Sequence, residues 1–173
     1  MNKVIKIDLS TSGIDQALRE IEKFKQDFLR KVDEYRVRIG EELRKESSLN
    51  FSSAVVNDTI QNGFRQAEVN VTVSDDGTIS VVVAEGEDAV WCEFGSGVYH
   101  NGSVGSSPNP YGQELGFTIG SYGKGYGKGK AWGYKDENGQ LVITRGTPAT
   151  MPMYNAVITV TQKAIAIARE VFG

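Results

Sequence analysis

Hydrophobic residues in the first third of the chain recur at steps of three or four, which places one apolar stripe along an α-helix. The stripe comprises Ile14, Leu18, Ile21, Phe24, Phe28, Val32, Tyr35, Ile39 and Leu43. The pattern predicts a helix from Ile14 to Glu46, roughly 50 Å long at ~1.5 Å per residue, with Ser12 as its N-cap. A small sheet cannot cover that length. Either another chain covers part of the stripe, or the helix bends over its own core or packs against the C-terminal helix.

Strict alternation of apolar and polar residues predicts strands with one buried face. The strands with this alternation are residues 5–9, 69–73 and 79–83, and two further strands, residues 131–135 and 140–144, are predicted after the insert from the turn between them. Asp75-Asp76-Gly77 and Asn138-Gly139 are turn sequences, so the last four strands form two hairpins. The polar segment before the first hairpin has room for one short helix at Val55–Gln61. Ala89 to Phe94 is a short apolar segment that Gly95 ends.

The C-terminal residues predict a second helix, from Met153 to Phe172, because their apolar residues have helical spacing. Pro148 and Pro152 bracket its start, and Arg169 suits its last turn. Two helices and antiparallel hairpins predict an α+β fold. In this fold an antiparallel sheet packs against a long N-terminal helix and a C-terminal helix, as one domain spanning residues 1–173.

A long glycine-rich insert occupies residues 96–130, with few apolar side chains to order it. Loops of this length inside a domain are usually functional or mobile. Its end interleaves lysines with aromatics, a composition suited to phosphate contact and base stacking. The residues concerned are Tyr122, Lys124, Tyr126, Lys128 and Lys130. Three lysines neutralise only about three phosphates, so the alternatives are DNA contact by many copies, contact with a neighbouring subunit, or plain disorder.

The charge distribution and the cysteine count bear on the contacts that the protein makes and on the compartment in which it is found. The net charge is −3, yet residues 51–95 carry eight acidic side chains and one basic one. This acidic segment either contacts neighbouring copies, repels DNA, or is a solvated surface. Cys92 is the only cysteine, so no intramolecular disulfide forms and a reducing compartment fits. The chain has no signal-peptide pattern and no bilayer-spanning apolar run, so we expect a soluble protein made in the cytosol.

Catalytic chemistry has little support in the sequence. No phosphate-binding glycine loop is present, and the only histidine, His100, lies in the insert. Glu93 lies between Trp91 and Phe94, so burial would raise its pKa and suit a glycosidase-like acid. However, no second carboxylate is placed beside it. The ordinary alternative is that Glu93 caps or hydrogen-bonds the glycine turn that follows. We therefore predict no enzyme activity, no metal and no cofactor.

Three short signatures follow the long charged helix in a fixed order. They are Glu93-Phe94-Gly95-Ser96-Gly97, Trp132-Gly133-Tyr134 and Thr144-Arg145-Gly146-Thr147-Pro148-Ala149. As a set, they resemble the neck or tail-completion family of long-tailed double-stranded DNA bacteriophages, small proteins that help to join head and tail. The chain departs from the family in two places. Asp58–Phe64 only approximates the family's Thr-Gly-x-Leu-type segment, and the insert is long.

The resemblance implies a structural virion protein, assembled in several copies at the head-to-tail junction around the DNA channel. Its partners would be head-closure, tail-terminator or tail-tube rings. Whether it also contacts DNA non-specifically is left open by the resemblance. Its motif residues would be structural, since glycines permit positive φ and prolines fix a helix start. These are Glu93, Phe94, Gly95, Gly97, Trp132, Arg145, Gly146 and Pro148. The insert and the exposed face of the first helix would bind these partners.

Three other functions stay open at this point. A tail-terminator or head-closure ring protein differs from the leading interpretation in position rather than in chemistry. A nucleic-acid-binding module would use the lysine and tyrosine residues of the insert. A cell-wall hydrolase would use Glu93.

Overall fold

The computed structural model describes residues 8, 10–96, 99–100, 103–104, 107–112, 114–115 and 131–173. At residues 99–100, 103–104 and 132 it describes the backbone alone. The strand predicted at residues 5–9 lies almost entirely outside the described residues.

The first helix, α1, spans Thr11–Ser52 and is longer at both ends than the pattern predicts. Its N-cap is Ser10, whose Oγ accepts a hydrogen bond from the Gly13 N–H at 3.2 Å, so the prediction of Ser12 was wrong. At the other end, Ser47 and Phe51 lie one turn apart and are both buried. Burial of Phe51 carries the helix through a serine-rich segment whose intrinsic helix propensity is weak.

The helix predicted at Val55–Gln61 was wrong. Val55–Asn57 is a strand, β1, and it pairs antiparallel with β2, Phe64–Gln66. The β-branched Val55 and Val56 suit a pleated strand, and Val56 is buried in the core. A segment this short has no period that distinguishes helix from strand, so its tertiary pairing decides.

Both predicted hairpins are confirmed. Strands β3, Asn70–Asp75, and β4, Ser80–Glu85, pair so that Val71 faces Ala84 and Val73 faces Val82. The helix α2, Glu87–Phe94, follows β4. Within the insert, β5, Tyr99–His100, pairs with β6, Ser103–Val104. After it, β7, Trp132–Lys135, pairs with β8, Leu141–Thr144.

The predicted C-terminal helix is also confirmed, as α3, Pro152–Phe172. Buried residues from α1, β1, β3 and α2 form the core between these elements. They are Phe51, Ala54, Val56, Val71, Ala89 and Cys92. The fold is therefore α+β, as predicted, although the described strands pair two by two and do not join into one sheet.

The helix α3 runs antiparallel along the second half of α1. Near its middle, Lys163 Nζ contacts Glu42 at 2.7 Å, and near its end the Phe172 ring lies against Phe28 and Tyr35. At ~1.5 Å per residue, α1 is about 63 Å long and α3 about 31 Å. Residues 11–27 of α1 therefore extend beyond the end of α3, and we call them the overhang.

Candidate functional site

Glu93 caps a helix start and not the glycine turn after it. Its Oε2 accepts a hydrogen bond from the Met153 N–H at 2.8 Å, and its Oε1 accepts one from the Tyr154 N–H at 3.0 Å. The N-cap residue of α3, Met151, has φ 54° and provides no side-chain cap. Because the first N–H groups of a helix have no intrahelical partner, Glu93 of α2 satisfies them from another element.

Both carboxylate oxygens of Glu93 are engaged inside the protein. Oε1 also accepts a hydrogen bond from Asn109 Nδ2 at 2.8 Å, and both residues are buried. Burial raises the pKa of Glu93, while the hydrogen bonds from Met153, Tyr154 and Asn109 act in the opposite direction. This arrangement joins α2, α3 and the insert.

The glycine corner after α2 is joined to the segment that leads into α3. Gly95 and Gly146 have φ of 78° and 81°, where a side chain would be strained. Between them, the Ser96 N–H donates to the Thr147 carbonyl at 2.8 Å, and the Thr147 N–H donates to Ser96 Oγ at 2.9 Å. Pro152 is buried as the first residue of α3. The first and third sequence signatures thus form one structural junction.

Asn57 fixes the same segment from the opposite side, and sequence analysis did not single it out. Its Oδ1 accepts hydrogen bonds from Thr144 Oγ1 at 2.7 Å and from the Arg145 N–H at 3.0 Å. Its Nδ2 donates to the Gly63 carbonyl at 3.2 Å. Asn57 therefore connects the β1–β2 turn to the end of β8, while Arg145 itself is exposed.

Asp88 is a second buried polar residue that the sequence did not reveal. Its carboxylate accepts two hydrogen bonds from Arg65, at 2.6 and 3.0 Å, and one from the Glu68 N–H at 2.9 Å. The hydrogen bond to Asp88 is the main reason that the pKa of Arg65 is raised. These hydrogen bonds tie α2 to β2 through Arg65 and to the connection between β2 and β3 through Glu68.

Several residues singled out from the sequence lie outside the described residues or are described by their backbone alone. The lysine and tyrosine residues from Tyr122 to Lys130 lie outside the described residues, as does Gly97. Trp132 begins β7, but only its backbone is described. His100 is in β5 and again only its backbone is described. The contacts of these side chains therefore stay predictions.

An apolar groove of about 560 Å³ lies beside the Glu93 cap. Its walls come from β4, α2, the start of α3, and Tyr111 and Leu115 of the insert. The Tyr111 ring packs edge-on against Tyr154, with the centroids 6.4 Å apart, and this contact holds that part of the insert at the groove. Exposed apolar side chains line it, among them Val83, Val90, Leu115 and Val157.

The overhang is a second exposed apolar surface. Ile14, Leu18, Ile21 and Phe24 are all exposed, and Leu18 retains 59% of its accessible surface. Ion pairs between neighbouring turns, such as Arg30 with Asp27, occupy other faces of the helix. The stripe that α3 buries in the second half of α1 therefore continues uncovered along the first half.

Comparison of the chain with protein-family models, with curated proteins and with solved structures finds no match. In the described part of the chain, no cluster of three or more His, Cys, Asp or Glu residues has the arrangement needed to hold a metal ion. Neither long helix contains a stretch apolar enough to span a bilayer, as far as the described residues extend. A functional proposal therefore depends on the residues and surfaces themselves.

Proposed function

We propose that this protein is a structural component of the head–tail junction of a long-tailed double-stranded DNA bacteriophage, a neck or tail-completion protein. Several copies would join tail to head around the DNA channel, in contact with neighbouring neck and tail rings. The protein would act as a building block and remain in the finished particle.

One observation carries most of the proposal. The buried polar residues of the sequence signatures hold the protein together, as Glu93 does at α3, whereas the exposed apolar residues form two extended surfaces, the overhang and the groove. Extended exposed apolar surfaces on a soluble domain are typical of interaction sites. The proposal is also supported by a resemblance: the three signatures follow a long helix in an order similar to that of phage neck proteins.

The decisive experiment is made on phage particles. Deleting the gene from the phage or prophage genome that encodes this chain should give filled heads and finished tails that remain separate. Supplying the wild-type gene in trans should restore joined particles. A tagged copy should be seen by electron microscopy at the neck. Tailed infectious particles that lack the protein would refute the proposal, and a tag at the upper end of free tails would favour a tail-terminator protein.

The insert provides a second test. Deleting residues 116–127, which retains Asn109 at Glu93 and Tyr111 at Tyr154, should leave the remaining chain folded but should abolish tail attachment. As a matched control, replacing Lys124, Lys128 and Lys130 by arginine retains the charges and should support attachment, whereas replacing them by serine tests whether charge is needed. Unimpaired particle assembly by the deletion variant would show that residues 116–127 contact no essential partner.

A further inference from the structure

We infer that copies of this chain associate head to tail, with the overhang of one copy lying in the apolar groove of the next. The inference rests on the proposed function in one respect, because a neck component must form a multi-copy assembly. The contact itself follows from the two apolar surfaces, their positions in the chain and their charges.

The overhang has the shape and composition of a helix that docks in a groove. Ile14, Leu18 and Ile21 are spaced i, i+4 and i+7, and Phe24 extends the same face. Their exposed side chains amount to on the order of 400 Å², which is as large as the largest apolar patch of many monomers. The surface is also continuous with the face of α1 that α3 already covers.

The groove offers walls that suit a helix. Val90 projects from α2, Val157 from α3 and Leu115 from the insert, so apolar side chains approach from three elements. The polar residues at its wall, Glu93 and Asn109, bond to each other and to the start of α3. A docking helix would therefore meet apolar side chains. It would leave neither Glu93 nor Asn109 without a hydrogen-bond partner.

The geometry of α1 excludes the groove of the same copy. Phe51, at the end of α1, lines the groove, whereas Ile21 is 30 residues earlier on the same continuous helix. At ~1.5 Å per residue the two positions are about 45 Å apart. The overhang can therefore reach only the groove of another copy. When this contact runs from one copy to the next it is heterologous and builds rings or filaments, whereas a closed dimer would require two copies to exchange their overhangs.

Lys25 of the overhang can meet acidic side chains at the groove. It follows Leu18 by seven residues, so it lies on the same face as the apolar stripe, where it also contacts Glu22 at 3.8 Å. At the groove, Glu85 and Glu114 are exposed next to the lining residues Ala84 and Leu115. Opposite charges at a rim favour the correct encounter and register more than they add affinity.

The test is sedimentation velocity on the full-length chain and three paired variants, over a concentration series that reaches about 1 mM. Leu18→Glu with Ile21→Glu places two charges on the apolar face of the overhang. Val90→Glu with Val157→Glu places two charges in the groove. Each variant should weaken association by at least about 100-fold, because two carboxylates would be buried without partners. Leu141→Glu with Ile165→Glu, at exposed apolar residues outside both surfaces, should associate as the wild type does.

Mixing the two broken variants identifies the contact. Each retains one intact surface, so the mixture should form a 1:1 heterodimer that grows no further, and its formation also shows that both variants are folded. A groove variant that associates as the wild type does would overturn the inference, since the overhangs would then pair with each other or the insert would cover the groove. A monomeric wild type would overturn it too. Because these experiments use purified protein, they leave the location in the particle to be tested separately.

Discussion

The ring of Phe172 lies against the ring of Phe28, with the centroids 5.9 Å apart, and this contact marks the point where α3 stops covering α1. On one side of it, Tyr35 also contacts Phe172, and its hydroxyl donates to the Ala164 carbonyl at 3.4 Å. On the other side, the overhang carries its apolar stripe uncovered. One helix thus contributes to the fold along its second half and presents a binding surface along its first.

Phe172→Ala should lower the free energy of unfolding by about 1–3 kcal/mol, because the substitution removes a partly buried ring that packs against the rings of Phe28 and Tyr35. Leu18→Ala, in the overhang, should change it by less than about 0.5 kcal/mol, because Leu18 retains 59% of its accessible surface. Urea denaturation followed by circular dichroism measures both. Equal losses would show that the overhang has an intramolecular partner.

Glu93→Gln should lower the free energy of unfolding by about 1–3 kcal/mol, because the new amide would point an N–H at the Met153 or Tyr154 N–H. Glu87→Gln, on the same helix but exposed, is the matched control and should change stability little. The result also bears on the hydrolase alternative. Loss of a hydrolytic activity in a fully stable Glu93→Gln protein would contradict a purely structural role.

Stability should depend on pH through Glu93 in a specific direction. Burial raises its pKa from the ordinary value of 4.5, so the folded protein binds this proton more tightly than the unfolded chain does. Its contribution to stability is therefore greatest below that value and is lost as the pH rises through the folded pKa. The advantage of the wild type over Glu93→Gln should shrink from acid to neutral pH in urea denaturation. An advantage that grows with pH would mean that the start of α3 stabilises the charged form.

Elements that depend on local pattern are predictable from this sequence. The stripe of α1 and the alternation in β3 and β4 are repeated over several turns or residues, so the period identifies the element. The start of α1 is not predictable from the sequence, because Ser10 and Ser12 are both good N-caps and only the backbone conformation selects Ser10. The strand β1 is three residues long, and its partner β2 decides its conformation.

The candidate site depends on contacts that leave no periodic signal. Glu93 and Met153 are 60 residues apart, and Asn57 and Arg145 are 88 apart, so neither hydrogen bond can be inferred from spacing. Exposure is also a tertiary property. The sequence shows that α1 has an apolar stripe, but only the length of α3 determines where the cover ends.

Asn57→Ala should lower the free energy of unfolding by about 1–3 kcal/mol, since the buried Thr144 hydroxyl and the Arg145 N–H lose their acceptor. Amide hydrogen exchange should be faster at Arg145 than in the wild type. Asn62→Ala is the control, because the Asn62 side chain bonds only to Asp58 in an exposed turn, and exchange at Arg145 should be unchanged. Slow exchange at Arg145 in both variants would mean that another group can replace Asn57.

Cys92 should resist thiol reagents in the folded protein. Its side chain is fully buried, and burial raises its pKa to about 11. The thiolate is the reactive form, so a shift from the ordinary 9.0 lowers reactivity at pH 8 by about 100-fold before access is considered. Labelling with a chromogenic disulfide should be slow until urea unfolds the protein, whereas an exposed thiol introduced by Ser53→Cys should react at once. Rapid labelling of Cys92 without denaturant would show that α2 separates from the core in the native state, and the cap that Glu93 gives to α3 would then open with it.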